Sequence, residues 1–334
     1  IKDGASDIHI EPYEENLSVR FRIDGILKEK LNPSSRIAPL LNARIKVMSN
    51  LDIAERRIPQ DGRMSLKLGE KWVDIRVSTL PSSFGERLVL RLLDKADASL
   101  DLEDLGMTSE MTKDYLQQLK STSGIILVTG PTGSGKTTTL YSGLNFLNDQ
   151  TRNILTVEDP IEYALEGVGQ TQVNNKVGLS FSKGLRAILR QDPDVVMVGE
   201  IRDKETAETA IQASLTGHLV LSTIHTNDSV GAITRLIDMG VEPYLLASTL
   251  KMVIAQRLVR KLTNKNEFSG RVGIFEMIKI DSDIRNFINE TIDEDKIRKV
   301  AFKKYNSLLN DGEEKVKKGI TSELEIKRVL KQVD

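Results

Sequence analysis

Residues 125–137 read Ile-Ile-Leu-Val-Thr-Gly-Pro-Thr-Gly-Ser-Gly-Lys-Thr, an apolar run passing straight into the pattern G-x-x-x-x-G-K-T, and residues 137–147 continue as a helix. Strand, glycine-rich loop and helix in that order form a phosphate-binding loop, which commits the chain to an α/β layer built on a buried strand. Gly133 and Gly135 let successive backbone N–H groups turn toward one phosphate, and the helix N-terminus adds positive potential. Lys136 then reaches the β- and γ-phosphates, and the Thr137 hydroxyl can ligate Mg²⁺. Gly130, Pro131, Thr132, Ser134 and Thr138 complete the candidate nucleotide-binding set. The expected ligand is a nucleoside triphosphate.

Composition removes several other chemistries. The chain has no cysteine, so disulfides, cysteine-bound zinc and iron–sulfur clusters are excluded, and three scattered histidines do not close a structural metal site. A net charge of -1 with 4% aromatic residues supplies neither a basic footprint nor many stacking platforms for nucleic acid. No apolar run approaches the length of a bilayer span. The chain of 334 residues starts at Ile1 without a signal peptide, and reads as a piece of a longer cytoplasmic protein with two or three domains.

Residues 16–28 alternate Leu17, Val19, Phe21 and Ile23 against polar partners, with Asp24-Gly25 as a turn signal, and predict a hairpin. Ile37, Leu40, Leu41, Ile45, Met48 and Leu51 fall at helical spacing, Gln60-Asp61-Gly62 reads as a break, and strands follow around Val73–Val77 and Leu88–Leu92. A small mixed sheet with a helix packed on it is expected for residues 1–97. The polar residues 94–101 suit a hinge, with a linker over 98–104. Residues 105–262 alternate strands and helices as a parallel sheet does, 263–269 form a short connection, and 270–334 read as helical and charged.

Four strands, at 125–129, 154–157, 195–198 and 219–224, each end in polar residues, and in an open α/β sheet such ends meet in one crevice. Hydrolysis of a γ-phosphate needs a group to orient water, carboxylates around Mg²⁺ and cations for the transferred oxygens. Glu200, just past an apolar strand, is assigned as the water-orienting base. Gly199 occupies the position where many such enzymes carry Asp, so Mg²⁺ is expected to be held through water with Glu158, Asp159 and Glu162 contributing. His225 is placed to report loss of the γ-phosphate, whereas His218 suits a structural hydrogen bond. Arg186, Arg190, Arg202 and Arg235 are candidate cations.

The motifs at 130–136, 155–162, 189–203 and 216–227, with Ala-Ser-Asp-Ile-His-Ile-Glu at 5–11, Arg-Phe-Arg-Ile-Asp-Gly at 20–25 and Ile-Pro-Gln-Asp-Gly-Arg at 58–63, resemble the secretion ATPases that drive type II secretion and type IV pilus assembly. The resemblance spans nearly the whole chain. It implies a PAS-like mixed α/β domain, a RecA-like P-loop ATPase domain and a helical C-terminal region, assembled as a homo-hexamer whose adjacent subunits enclose ATP. It makes Lys136 and Thr137 the Walker A contacts, residues 158–162 the Asp box, Glu200 the catalytic glutamate and residues 218–225 the His box. Arg76 and Arg91 match the arginines that the family's N-terminal domain brings to the nucleotide, and both lie opposite the apolar faces of their strands.

Relatives of the type II branch commonly carry two Cys-x-x-Cys pairs binding zinc where this chain has only residues 263–269, so no zinc is expected. The resemblance implies a motor peripheral to the inner membrane of a bacterium, in contact with platform and anchor proteins, and no specific nucleic acid is expected; the Lys and Arg clusters at 257–265 and 315–318 make acidic phospholipid a further candidate, although such runs are more often solvated helix faces. Local sequence at 85–95 and 318–322 resembles the type II form more than the pilus form, and a DNA-uptake motor of the same family would look nearly identical. A RecA-like nucleic-acid translocase and a non-hydrolysing nucleotide-binding scaffold are the readings from other classes.

Overall fold

A computed structural model of the chain, describing residues 2–69, 71–93, 101–264, 267–290 and 293–330, shows the alternating segments of the N-terminal third as strands of one sheet. Contacts divide the chain into the units Ile1–Ala98 and Ser99–Asp334. The first contains β1 (Ala5–Pro12), β2 (Leu17–Ile23), β3 (Ile26–Leu31), α1 (Ala38–Met48), β4 (Gln60–Leu68), β5 (Lys71–Ser82) and β6 (Gly85–Leu93). Asp24 and Gly25 both take positive φ, 48° and 82°, which gives the β2–β3 hairpin a turn twisted like its strands.

The strand order is β3-β2-β1-β6-β5-β4, and every neighbouring pair is antiparallel, so the sheet is not mixed in direction as expected. Gln60-Asp61-Gly62 is not a break either. It begins β4, paired with residues 77–79, and a Cβ on Gly62 would stand 2.5 Å from the Ser49 carbonyl oxygen. The glycine answers a close approach of α1's C-terminal end, not a turn. Ile45 of α1 packs with Val73, Ile75, Val77, Leu88 and Leu90 on one face of the sheet, which leaves residues 74, 76, 87, 89 and 91 on the other.

The second unit contains α2 (Ser109–Leu119), β7 (Gly124–Thr129), α3 (Lys136–Leu147), β8 (Ile154–Glu158), β9 (Gly169–Gln172), α4 (Phe181–Ile188), β10 (Val195–Val198), α5 (Lys204–Leu215), β11 (Leu219–Ile224), α6 (Ser229–Asp238) and α7 (Pro243–Thr249). It continues with β12 (Leu250–Asn264), β13 (Glu267–Lys279), α8 (Ser282–Glu290), α9 (Glu294–Ala301), α10 (Leu308–Lys317) and α11 (Glu323–Leu330). The sheet runs β13-β12-β7-β11-β10-β8-β9, parallel throughout except for the β12–β13 hairpin. This is a RecA-like α/β core.

Every residue of β7, β10 and β11 is buried, because helices cover both faces. Alternation sends Ile125, Leu127, Val196, Val198 and Val220 into one core, with Leu185, Ile211 and Ile233 of α4, α5 and α6. It sends Ile126, Val128, Val195, Met197 and Leu221 into the other, against Tyr115 of α2 and Leu140 and Leu144 of α3.

Residues 270–279 depart from the helical expectation. They are strand, paired with β12, and helix begins only at Ser282. Leu308 and Ile326 of α10 and α11 then pack on Ala255, Val259 and Ile274 of that hairpin as a small cluster of their own, within the same unit as the sheet. Leu102 is buried with Tyr115 and Leu140 in the core under α2 and α3, within the span expected as linker. The expected hinge lies, except for Asp101, outside the described residues, as do residues 265–266 of the short connection. No helix among the described residues is long and apolar enough to cross a membrane.

Candidate active site

The P-loop is held by glycine geometry and by one side chain from β12. Gly130 takes φ 147°, and a Cβ there would stand 2.5 Å from the Gln256 carbonyl oxygen and 2.6 Å from Ser134 Oγ, so no larger residue fits. Gly135, φ 87°, leads into α3, whose first N–H groups are free of any side-chain cap. Gln256 is buried between loop and helix: its Nε2 donates to the Ser134 carbonyl at 2.5 Å and its Oε1 accepts from Thr139 Oγ1 at 2.7 Å. Lys136 Nζ donates back to the carbonyls of Gly130 (2.8 Å) and Pro131 (3.0 Å). Burial pushes its pKa down to about 8, with Glu200 opposing the shift and Arg257 adding to it.

Ser134 Oγ is buried without a hydrogen-bond partner. A strained cradle that excludes a Cβ, an orphaned hydroxyl, a lysine and a helix N-terminus fit an oxyanion of phosphate type. Thr137, on the first turn of α3, is half-buried beside them. Among the described residues no cluster of three or more His, Cys, Asp or Glu could cage a metal, so a magnesium ion here would depend on Thr137, phosphate oxygens and water.

The ends of β7, β11, β10 and β8 lie side by side, which brings the expected polar clusters to one edge. Glu200, 9% exposed, follows β10. One oxygen is ion-paired with Arg202, the other lies 3.2 Å from His225 Nε2 at the end of β11, and its charge is felt by Lys136. A hydrogen bond from Ile201 N to Thr223 O (2.8 Å) and one from Thr223 Oγ1 to Gly199 O (2.7 Å) fix the turn that presents it. Gly199 has a steric reason: a Cβ there would stand 3.3 Å from Glu158 Cα and 3.2 Å from the Phe181 ring.

Glu158 departs from expectation. It is buried at the end of β8, where it accepts from Tyr141 Oη, Thr156 Oγ1 (2.5 Å) and Gln170 Nε2 (3.0 Å). Burial together with this carboxylate raises the Tyr141 pKa, so the phenol stays a donor. Through these three neutral donors the carboxylate anchors the end of β8 to α3 and β9. Asp159, next in the chain, is exposed, and Glu162 is half-buried and engaged in an interaction of its own.

The candidate cations separate in the same way. Only Arg202 joins Glu200, lying also 6.0 Å from the Phe181 ring. Arg186 pairs with Glu205 on the surface, Arg190 donates to the Arg186 carbonyl at 2.8 Å, and Arg235 is exposed on the last turn of α6. His218 precedes β11 at the opposite end of that strand from His225, where its Nδ1 lies 2.9 Å from the Ala213 carbonyl oxygen. It is structural, as expected.

In the first unit, the register places Arg63 opposite Arg76 and Arg76 opposite Arg91, a row of three arginines across β4, β5 and β6 on the face away from α1. Asp7 of β1, opposite Arg91, accepts from its Nε at 2.9 Å, whereas Arg76 has no ion pair among the described residues. Like charges directly across a ladder are unfavourable alone and suit a polyanion. Arg63 was not among the sequence candidates.

Gln256 and Arg257 were missed as well. Arg257 is buried, donating to the carbonyls of Asn227 (2.7 Å) and Gln256 (3.1 Å), and burial lowers its pKa. Their signal was the one used elsewhere: a polar pair directly after the apolar residues 252–255.

Residues 1–331 match the family described as Type II/IV secretion system protein. The chain is 53% identical to the Type II secretion system protein E of Pseudomonas aeruginosa and 52% identical to the Type II secretion system ATPase E of Vibrio cholerae, in each case over 99% of this chain and 73% of the relative. Both alignments run over 368 positions, so each relative carries residues within the matched span that this chain lacks. Among solved structures, the ATPase DotB of Legionella pneumophila superposes with a TM-score of 0.79 at 25% identity, covering 98% of this chain and 91% of DotB. The pilus retraction motor PilT with bound ADP gives 0.70 at 30% identity, covering 97% and 93%.

Proposed function

As this chain belongs to the type II/IV secretion system protein family and is one of its ATPases, we propose that it is the hexameric motor that hydrolyses ATP to drive type II protein secretion through assembly of a pseudopilus. The observation that carries the reading is the convergence of Lys136, Glu200, Arg202 and His225 at adjoining strand ends. In this reading Lys136 exchanges its two loop carbonyls for β- and γ-phosphate oxygens, and the loop N–H groups and Ser134 hydroxyl complete the cradle. Thr137 would hold Mg²⁺, which when bound neutralises charge between the phosphates. Glu200 releases Arg202 to accept a hydrogen bond from the attacking water, and the freed guanidinium turns to the anionic oxygens. His225, sharing Glu200, passes the presence of the γ-phosphate to the loop before α6.

Arg76 and Arg91 are proposed to serve the nucleotide of a neighbouring subunit, which the arginine row supports. The motor works on the cytoplasmic side of the inner membrane with platform and anchor proteins. Turnover per subunit should therefore rise with protein concentration. Mixing inactive Arg76→Ala/Arg91→Ala protein with inactive Lys136→Ala protein should restore part of the activity. Constant turnover per subunit, with no rescue although subunits exchange, would overturn the shared site.

A further inference from the structure

Helix α1 packs Ala38 and Ile45 on the sheet and buries Asn42 and Lys46 beside them, yet it turns Leu40 (74% exposed), Arg44 and Val47 outward, in line with exposed Ile37 just before it. Residues at i, i+3, i+7 and i+10 share one face, so these four form a stripe. Inside, Lys46 Nζ donates to Glu86 at 2.5 Å and to the Glu55 carbonyl at 2.6 Å. Beside the helix lies a cavity of about 160 Å³ with Ile53, Arg56 and Phe84 among its lining, both apolar residues exposed. Asn42, 6% exposed, lines the same cavity: its Nδ2 donates to the Glu86 carbonyl at 2.8 Å, while its Oδ1 is buried without a donor.

From these features we propose that α1 and the adjoining cavity form a docking site for an acidic polypeptide segment of a partner protein, anchored by an apolar side chain. Three observations choose that occupant. Residues 31–51 contain no acid, and Arg36, Arg44 and Arg56 have no ion pair among the described residues, whereas Glu55 is taken by Arg57. Unpaired cations around apolar residues call for an acidic partner with an apolar anchor. The buried Asn42 Oδ1 calls for an N–H, which a polypeptide brings into a concave site and a phosphate headgroup does not. The site also lies on the opposite face of the sheet from the arginine row, so its occupant does not compete with nucleotide. None of this depends on the ATPase reading.

The test places a photoreactive benzoylphenylalanine at Leu40, and separately at Phe84, in the full chain in its source cell, and identifies crosslinked peptides by mass spectrometry. The identified segment is then synthesised with a fluorescent label and titrated with purified protein by anisotropy. Expected are crosslinks to an acidic segment of another protein, binding that weakens as salt rises, and at least a tenfold loss for Arg44→Glu/Arg56→Glu and for Leu40→Glu, with ATP turnover and melting temperature unchanged. Crosslinks only to a second copy of this chain, only to lipid, only to neutral or basic segments, or none at all would overturn the proposal. So would binding indifferent to the variants, or binding to 30% phosphatidylglycerol vesicles that the segment does not displace.

Discussion

Glu158 and Glu200 stand at the ends of neighbouring parallel strands, both buried, and their surroundings make them different groups. Glu158 meets a phenol, a hydroxyl and an amide, all neutral donors. Glu200 meets a guanidinium and an imidazole and lies within the electrostatic reach of Lys136. A carboxylate among fixed neutral donors holds a fold together, and one among mobile cations can exchange partners as a reaction proceeds. On this contrast we propose that one residue type does structural work at one strand end and chemical work at the next.

The largest test of that contrast is Glu200→Gln, expected to lower ATP hydrolysis by about 10²–10⁴-fold while a fluorescent ATP analogue still binds. Parental turnover would remove Glu200 as the base. Glu158→Gln should do the reverse, costing about 1–3 kcal/mol of stability while hydrolysis at low temperature falls less than about threefold. Loss of hydrolysis as deep as for Glu200→Gln, at an unchanged melting temperature, would erase the distinction between the two ends.

Gln256→Ala carries the contrast to the wall behind the P-loop. Removing its bonds to Ser134 O and Thr139 Oγ1 should weaken ATP binding about tenfold, equivalent to about 1.4 kcal/mol, with a smaller change in kcat. Equal effects on both parameters would assign Gln256 a part in the transition state. The smallest expected effect concerns Lys136. Its pKa is lowered to about 8, so below that pH the ammonium is intact, and above it the free protein loses the proton that phosphate binding requires. ATP affinity should fall about fourfold between pH 7 and 8.5, and binding at pH 8.5 should take up most of one proton. Calorimetry in buffers of different ionisation enthalpy measures that uptake, which Lys136→Arg should abolish.

Local signals carried the strand-end motifs reliably. The P-loop, the Asp24-Gly25 turn and the buried strands at 125–129, 195–198 and 219–224 appear where period and turn chemistry put them, because each is decided within a few residues. The opposite cases are those in which a distant segment decides. Gln60-Asp61-Gly62 is strand because β5 pairs with it, and residues 270–279 are strand because β12 does.

The α/β class, the phosphate loop and the acids and histidine at the strand ends follow from local periodicity and side-chain chemistry and are legible along the chain. Which of those groups meet is settled by the folded sheet. Strand order set His225 on Glu200 and left Arg186, Arg190 and Arg235 on the surface. It also brought Gln256 to Thr139 across 117 residues of chain. Such contacts depend on how strands pair across the whole sheet, which no local window encodes.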